Sequence, residues 1–417
     1  MKDRREFVKA LVIGGGVAAA SRGMGAFVGQ RRESAHGSRS LPAPIANGYS
    51  PEILSNSRRS YHSFQVGSLP DQVLSNVLFA TACAPVIGSY RTIYVALADN
   101  VYEYDAGTHS LVLHEPGDQR SQSSSVFEVA IAAELAEDAG ASLHLGQLAC
   151  HAFWASCCPK ESCSANAASD WNPVGTIQMG TCYGLPPSID SLTDTLVALS
   201  SDGSLPDPST NGATVFEQVV ASLSTSTELD GPALPLDWIS QIAWSSYGCT
   251  DHSSSNGRAG LTVASAMANY YLSGRVYVVR EEGVGIYHCR NGGPTTRDHR
   301  LEPLIPEDRR CALVSAAAGV PASAPAYFVF AAYEDSRWAQ VEAGFCGAGA
   351  LLQATAVGLS GSLNAGFDTS EKAAIRSALG MSSGDYPLLV FSVGEGHGIF
   401  ADGFESGDMT RWSGSAP

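Results

Sequence analysis

Two short stretches hold residue types whose spacing could do chemistry. In one, Arg258 precedes a loop of small residues, Thr262-Val263-Ala264-Ser265-Ala266, which runs past Tyr270 and Tyr271 into an apolar strand pattern over 275–279. Small residues let backbone N–H groups and a hydroxyl approach the edge of a flat, polar-rimmed ligand. A nearby guanidinium can neutralise charge that develops there. Tyrosine can give or take a proton when held against a substrate. In the other stretch, Ser57-Arg58-Arg59-Ser60 is followed by His62. A guanidinium fork binds phosphate through two parallel hydrogen bonds, so this arm suits a phosphate-bearing ligand. Taken singly, the first stretch also reads as an ordinary loop before a strand, and the second as a basic surface turn.

The elements around these stretches recur. An apolar 3.6 pattern predicts a helix over 69–84, with Val73, Leu74, Val77 and Leu78 on one face. A strand follows over 91–98, then a hairpin over 101–113. The segment 238–244 lines up with 73–79, 275–279 with 91–95, and 284–287 with 101–104. Glu342-Ala343-Gly344 opens a long helical run as Asp138-Ala139-Gly140 does, and 387–394 lines up with 173–180. Five segments in one order predict a tandem duplication. The expected division is a signal over 1–30, a linker over 31–54, one half over 55–190, a second linker over 191–233, the other half over 234–398 and a tail over 399–417. The first half carries the arginine arm without the small-residue loop. The second carries the loop without the arm.

The loop, with its T-V-x-S-A-x-A core ahead of a V-Y-V-V strand, and the S-R-R-S arm resemble flavin-dependent nitroreductase-fold proteins of the SagB-like, azoline-oxidase branch. That resemblance implies an α+β fold, tandem nitroreductase-like domains with a mainly antiparallel sheet flanked by helices. Proteins of this fold usually dimerise around an interfacial flavin. The two halves are therefore expected to form an intrachain pseudo-dimer with one composite FMN site, the arm from one half and the loop from the other. The implied cofactor contacts are Arg58, Arg59, Ser60, His62, Arg258, Thr262, Ala264, Ser265 and Ala266. The branch's Lys-Tyr acid/base pair is absent, which leaves Tyr270 and Tyr271 as catalytic candidates. The implied substrate is a small molecule or modified peptide. A degenerate, non-catalytic scaffold of the same fold is the alternative.

The remaining features bound the setting. The chain has 417 residues, 44% hydrophobic and 16% charged, with a net charge of −16 and only four lysines. This balance argues against a nucleic-acid surface or a polybasic membrane patch. Arg4-Arg5-Glu6-Phe7-Val8-Lys9 before a Gly/Ala-rich apolar run resembles a twin-arginine export signal, so a periplasmic or secreted location is expected, with no membrane contact beyond that signal. Cys150, Cys157, Cys158, Cys163 and Cys182 cluster without C-x2-C spacing, so no metal is expected, and export favours disulfides among them. Gly344, Gly347 and Gly349 fall inside the long helical run, where they would permit close helix packing.

Overall fold

The computed structural model describes residues 38–160, 177–187, 199–200, 202–223, 225–253, 258–265, 268–290 and 297–396. The expected signal over 1–30 and the tail over 399–417 lie outside them. Among the described residues, no helix is long and apolar enough to cross a membrane.

The first part of the chain runs β1 (Ser38–Ser40), α1 (Pro51–Ser57), α2 (Asp71–Cys83), β2 (Arg91–Ala96), β3 (Asn100–Asp105), β4 (Ser110–Pro116), β5 (Phe127–Ala133), α3 (Ala136–Ala152), β6 (Ser156–Lys160) and β7 (Ile177–Gly184). The second runs β8 (Leu199–Ser200), α4 (Phe216–Ala221), β9 (Leu229–Asp230), α5 (Leu236–Tyr247), β10 (Cys249–Ser253), β11 (Ala259–Leu261), β12 (Val276–Arg280), β13 (Gly283–Arg290), β14 (Arg297–Ile305), α6 (Arg310–Ala316), β15 (Ala326–Ala332), α7 (Arg337–Ala356), β16 (Ser360–Ala365), α8 (Thr369–Leu379) and β17 (Tyr386–Gly396). The large sheets have the orders β1-β4-β3-β2-β5-β7-β6 and β8-β14-β13-β12-β15-β17-β16. The second order repeats the first strand for strand. Its pairings are antiparallel like the first's, except that β8 runs parallel to β14. The fold is thus α+β, two mainly antiparallel sheets with helices packed between and around them.

The long helices α3 and α7 cross at the centre. A Cβ on Gly140 would collide with the carbonyl oxygen of Val341, and one on Gly344 with that of Glu137. The contact is reciprocal, as in a two-fold interface, although both helices belong to one chain. Gly344 therefore does what its place in the helical run predicts: it lets two backbones approach. Both helices are buried on nearly all sides, which explains why neither shows a clean apolar stripe.

Two sequence expectations change. First, the described residues of the segments expected as linkers, 38–54 and those within 199–233, pack as parts of the fold. Ser40-Leu41-Pro42-Ala43-Pro44 with Asn47-Gly48 recurs as Ser204-Leu205-Pro206-Asp207-Pro208 with Asn211-Gly212. Each copy is clasped by the same network. Ser75 Oγ donates to the Pro42 carbonyl (2.6 Å) and contacts His109 Nε2 (2.8 Å), while Tyr104 Oη contacts His109 Nδ1 (2.6 Å). Ser240 Oγ donates to the Pro206 carbonyl (2.6 Å) and contacts His299 Nε2 (2.7 Å), while Tyr287 Oη contacts His299 Nδ1 (2.9 Å). The Asn76 side chain holds both backbone groups of Ile45, and that of Gln241 holds both of Ser209. Second, the alignment of 173–180 with 387–394 is out of register by three. Tyr94 faces Ala130, which faces Gly180; Val278, the counterpart of Tyr94, faces Phe328, which faces Phe391. Gly180 thus corresponds to Phe391 rather than Gly394.

Two predictions follow from this packing. Gly344→Ala should destabilise the chain by about 1–3 kcal/mol, whereas Gly384→Ala, with open space around its Cβ, should stay within about 0.5 kcal/mol of wild type; denaturant melts would show the contrast. Burial pushes His299 down to about 4, below its unfolded value near 6.5. The fold thus favours the neutral ring, and its contribution is complete above about pH 6.5 and is lost as pH falls toward 4. Between those limits, wild type should lose about 3 kcal/mol relative to His299→Gln.

Candidate functional site

The arm is placed by α1. Ser50 caps this helix by accepting from Ile53 N (3.4 Å), and Pro51 opens it. Asn56 then ties the helix to the second half. Its amide donates to Asp251 Oδ2 (2.9 Å), and its carbonyl oxygen accepts from Asp251 N (2.9 Å). Arg58 follows directly and is buried. Its Nε donates to the Leu261 carbonyl (3.0 Å) and its Nη1 to Ser60 Oγ (3.2 Å). Burial pushes the Arg58 guanidinium below its usual pKa, and Cys157 and Tyr270 are the largest offsets to that shift. Arg59 N donates to His151 Nε2 (3.4 Å) and Tyr61 N to the Cys157 carbonyl (3.1 Å), so the arm lies along the C-terminus of α3 and the start of β6. The His62 ring turns to Cys158 Sγ (3.6 Å).

The loop is reached through the small sheet β10–β11. Thr262 Oγ1 donates to the Trp244 carbonyl (3.0 Å) and accepts from Gly248 N (3.1 Å). Val263 and Ala264 are buried. Ser265 Oγ lies 2.5 Å from Glu342 Oε2 and accepts from Tyr270 N (2.7 Å). Ala266 is outside the described residues. Beyond it, Ala268 and Tyr270 have φ of 55° and 54°, a left-handed conformation that non-glycine residues adopt at some cost. The two tyrosines then diverge. Tyr270 receives the Arg258 guanidinium over its ring at 5.3 Å and that of Arg290 at 4.2 Å. Tyr271 is buried, stacks on Tyr333 with centroids 5.3 Å apart, and accepts from Asn269 Nδ2 (2.7 Å).

The structure therefore brings together Arg58 and Ser60 from the first half with Arg258 and Tyr270 from the second, at the point where Arg58 meets the loop backbone. It does not bring Tyr271 there. Sequence reasoning missed Arg290, which donates to the Ala259 carbonyl (2.8 Å) and whose buried Nε has no hydrogen-bond partner among the described residues. One arginine at the end of a strand gives no local signal. A stripe on α3 was also missed. His144, Gln147 and His151 share a helical face. Both ring nitrogens of His144, both amide atoms of Gln147 and Ser55 Oγ on α1 are buried without partners among the described residues. Burial, then Arg58 and His151, push His144 down to about 3.

With cations gathered and polar atoms left unsatisfied, the residues present fit a polar, phosphate-bearing group. The cysteine cluster is only partly as expected. Cys182 is disulfide-bonded, Cys150 and Cys157 are thiols, and Cys163 lies outside the described residues.

The Nitroreductase family model matches residues 255–395. Over most of the chain, the structure is similar to that of an Anabaena variabilis protein assigned as a nitroreductase. The TM-score is 0.58 at 13% identity, covering 84% of this chain and 98% of that one. The fold is the nitroreductase fold. A Ralstonia eutropha protein assigned as a nitroreductase is 20% identical, with a TM-score of 0.38, over 50% of this chain and 100% of its own. No curated protein matches the chain in sequence. Within this fold, the loop depends on one carboxylate. Glu342 also accepts from Tyr247 Oη (2.8 Å) and Leu272 N (3.3 Å).

Burial pushes the Glu342 carboxyl up to about 7, against the pull of its Ser265, Tyr247 and Leu272 contacts. The ordinary value is near 4.3, so the fold favours the protonated form. Its contribution is full below about pH 4.3 and is lost as pH rises through about 7, a total of about 3 kcal/mol. Glu342→Gln cannot titrate there. Wild-type stability relative to this variant should therefore fall by that amount between pH 4 and 8. A difference independent of pH would refute the assignment.

Proposed function

We propose that the chain is an FMN-dependent oxidoreductase of the nitroreductase, SagB-like type, acting on a small molecule or modified peptide. In this reading its halves arose by tandem duplication and form an intrachain pseudo-dimer with a single composite site. Export by the twin-arginine route to the periplasm or beyond belongs to the same reading. One observation carries it: the arm of the first half reaches the loop of the second at Arg58 and Leu261, and Arg258 and Arg290 converge on Tyr270 beside them.

Arg58, Arg258 and Arg290 would hold the phosphate, with the Ser60 hydroxyl beside Arg58. Bound FMN supplies hydride acceptance from a substrate carbon. Glu342 fixes the loop by holding the Ser265 hydroxyl and Leu272 N, so the loop backbone is preorganised. Tyr270, beneath two guanidinium groups, is the residue placed to exchange a proton with a substrate. Tyr271 is a packing residue against Tyr333. The second reading, a non-catalytic binding module, is favoured by a specific observation: the Thr262 and Ser265 hydroxyls are spent within the protein.

Titration of the purified chain with FMN, followed by visible absorption, separates the two. The enzyme reading expects retained flavin and a loss of affinity of about tenfold or more in Arg58→Ala and in Arg290→Ala. A folded wild-type chain that retains no FMN sinks that reading and leaves the binding module.

A further inference from the structure

Cys150 and Cys157 belong to neither the loop nor the arginine set, yet Cys157 lies beside the arm, its carbonyl accepting from Tyr61 N (3.1 Å). Cys150 ends α3 and Cys157 opens β6, and the turn between them is closed by Ala155 N donating to the Cys150 carbonyl (3.3 Å). Cys150 and Cys157 are close enough that each shifts the other's proton affinity. His151 Nε2 lies 3.7 Å from Cys157 Sγ. The same nitrogen accepts from Arg59 N (3.4 Å), so the ring stands between the arm and the thiol. The buried Arg58 also acts on Cys157 as a fixed positive charge. The pair is thus asymmetric: one thiol has a base and a cation, the other has only its partner.

We propose that Cys157 is a peroxide-reactive thiol that Cys150 resolves into a reversible disulfide. His151 takes the Cys157 proton. The thiolate attacks one oxygen of a hydroperoxide, an S–O bond forms, and the O–O bond breaks. The leaving oxygen takes the proton from His151, giving water or an alcohol and a sulfenic acid on Cys157. Cys150 sulfur then attacks Cys157 sulfur. The S–S bond forms, the S–O bond breaks, and hydroxide leaves as water with the Cys150 proton. Two thiols are oxidised by two electrons and one peroxide is reduced. Burial would by itself push the Cys157 thiol up, but the Cys150 hydrogen bond, His151 and Arg58 outweigh it and hold it at about 5. Cys150 is pushed well up. His151 stands beside Cys157 (3.7 Å) and Arg58 acts on it, which makes Cys157 the attacking sulfur and Cys150 the resolving one. Both side chains are almost wholly buried, so the oxidant must be close to water in size, which points to hydrogen peroxide rather than a bulky disulfide.

The test uses the full chain without added flavin. After reduction and removal of the reductant, the protein is exposed to hydrogen peroxide. It is then denatured in an alkylating agent and mapped by mass spectrometry. The expected result is a Cys150–Cys157 cross-link that forms roughly tenfold faster than oxidation of Cys346, a buried thiol whose largest charged influence is Glu342. Dithiothreitol should reopen it. In Cys150→Ser, a dimedone adduct should accumulate on Cys157 instead. Oxidation of Cys157 no faster than Cys346, or a link from Cys150 or Cys157 to any other cysteine, overturns the proposal. The wild-type map stands even if the variant fails to fold, and neither outcome depends on FMN binding.

Discussion

The close crossing of α3 and α7 sets the spacing on which the rest of the molecule depends. Gly140 lies against the backbone of α7 and Gly344 against that of α3, so the helices meet without intervening side chains. The residue two positions before each glycine is an acid, and each reaches the connection that feeds the first inner strand of its own sheet. Asp138 accepts from Arg91 (2.9 Å), Ile87 N (3.1 Å) and Gly88 N (3.4 Å). Glu342, one methylene longer, accepts from Ser265, Tyr247 and Leu272 N. The counterpart of Arg91 is Arg275, which pairs with Asp385 (2.8 Å) instead. The first acid has a cation beside it and the second has only neutral donors. Burial pushes both carboxyls up; Arg91 offsets this at Asp138, whereas at Glu342 only neutral donors do so among the described residues.

From that crossing follows the asymmetry of the site. A two-fold arrangement of equal halves would give two sites, each with an arm and a loop. Here the arm follows α1, and its counterpart after α4 carries no arginine in Ser222-Leu223-Ser224-Thr225. The loop follows β11, and the first half has only the short turn that Asp138 clamps. The partner segments still exchange contacts across the axis. Asn47 Nδ2 donates to Glu217 Oε1 (3.2 Å), and Gly212 N donates to Ser50 Oγ (2.9 Å). The scaffold is repeated, and the arm and the loop each occur once.

Much of this was legible because period and composition are local. The helix over 71–83, the β3–β4 hairpin and the matching segments of the second half follow from apolar spacing, and the arm and loop stand out by residue type. What was missed depends on distance along the chain. The Leu-Pro-x-Pro segments look like linkers because proline removes donors and breaks periodicity. Their order comes from Ser75, His109, Ser240 and His299, tens of residues away, which hold their carbonyls. The slip between β7 and β17 arose because both strands are buried on both faces, so a run such as Pro387-Leu388-Leu389-Val390 carries no alternation to fix register. Arg290 and the His144–Gln147–His151 stripe matter only because α1 and β11 come to lie beside them.

The burial of Arg58 is the strongest physical argument about what the site is for. Taking a guanidinium out of water is costly unless an anion or a full set of acceptors replaces it. Arg58 finds a carbonyl and a hydroxyl, with no carboxylate among its hydrogen-bond partners in the described residues. Acidic residues outnumber basic ones by 41 to 25 in this chain, so a carboxylate could readily have served. Arg120, Arg275, Arg300 and Arg310 each have one. A region that gathers Arg58, Arg258 and Arg290 beside orphaned polar atoms on α3 is poorly suited to empty stability. It is suited to a bound anion, whose charge offsets the desolvation of Arg58 and whose oxygens accept from buried donors such as Arg290 Nε. The thiol of Cys157 lies in the same field, so a negative charge is favoured there too, and the arm couples the two places through consecutive residues of one strand of backbone.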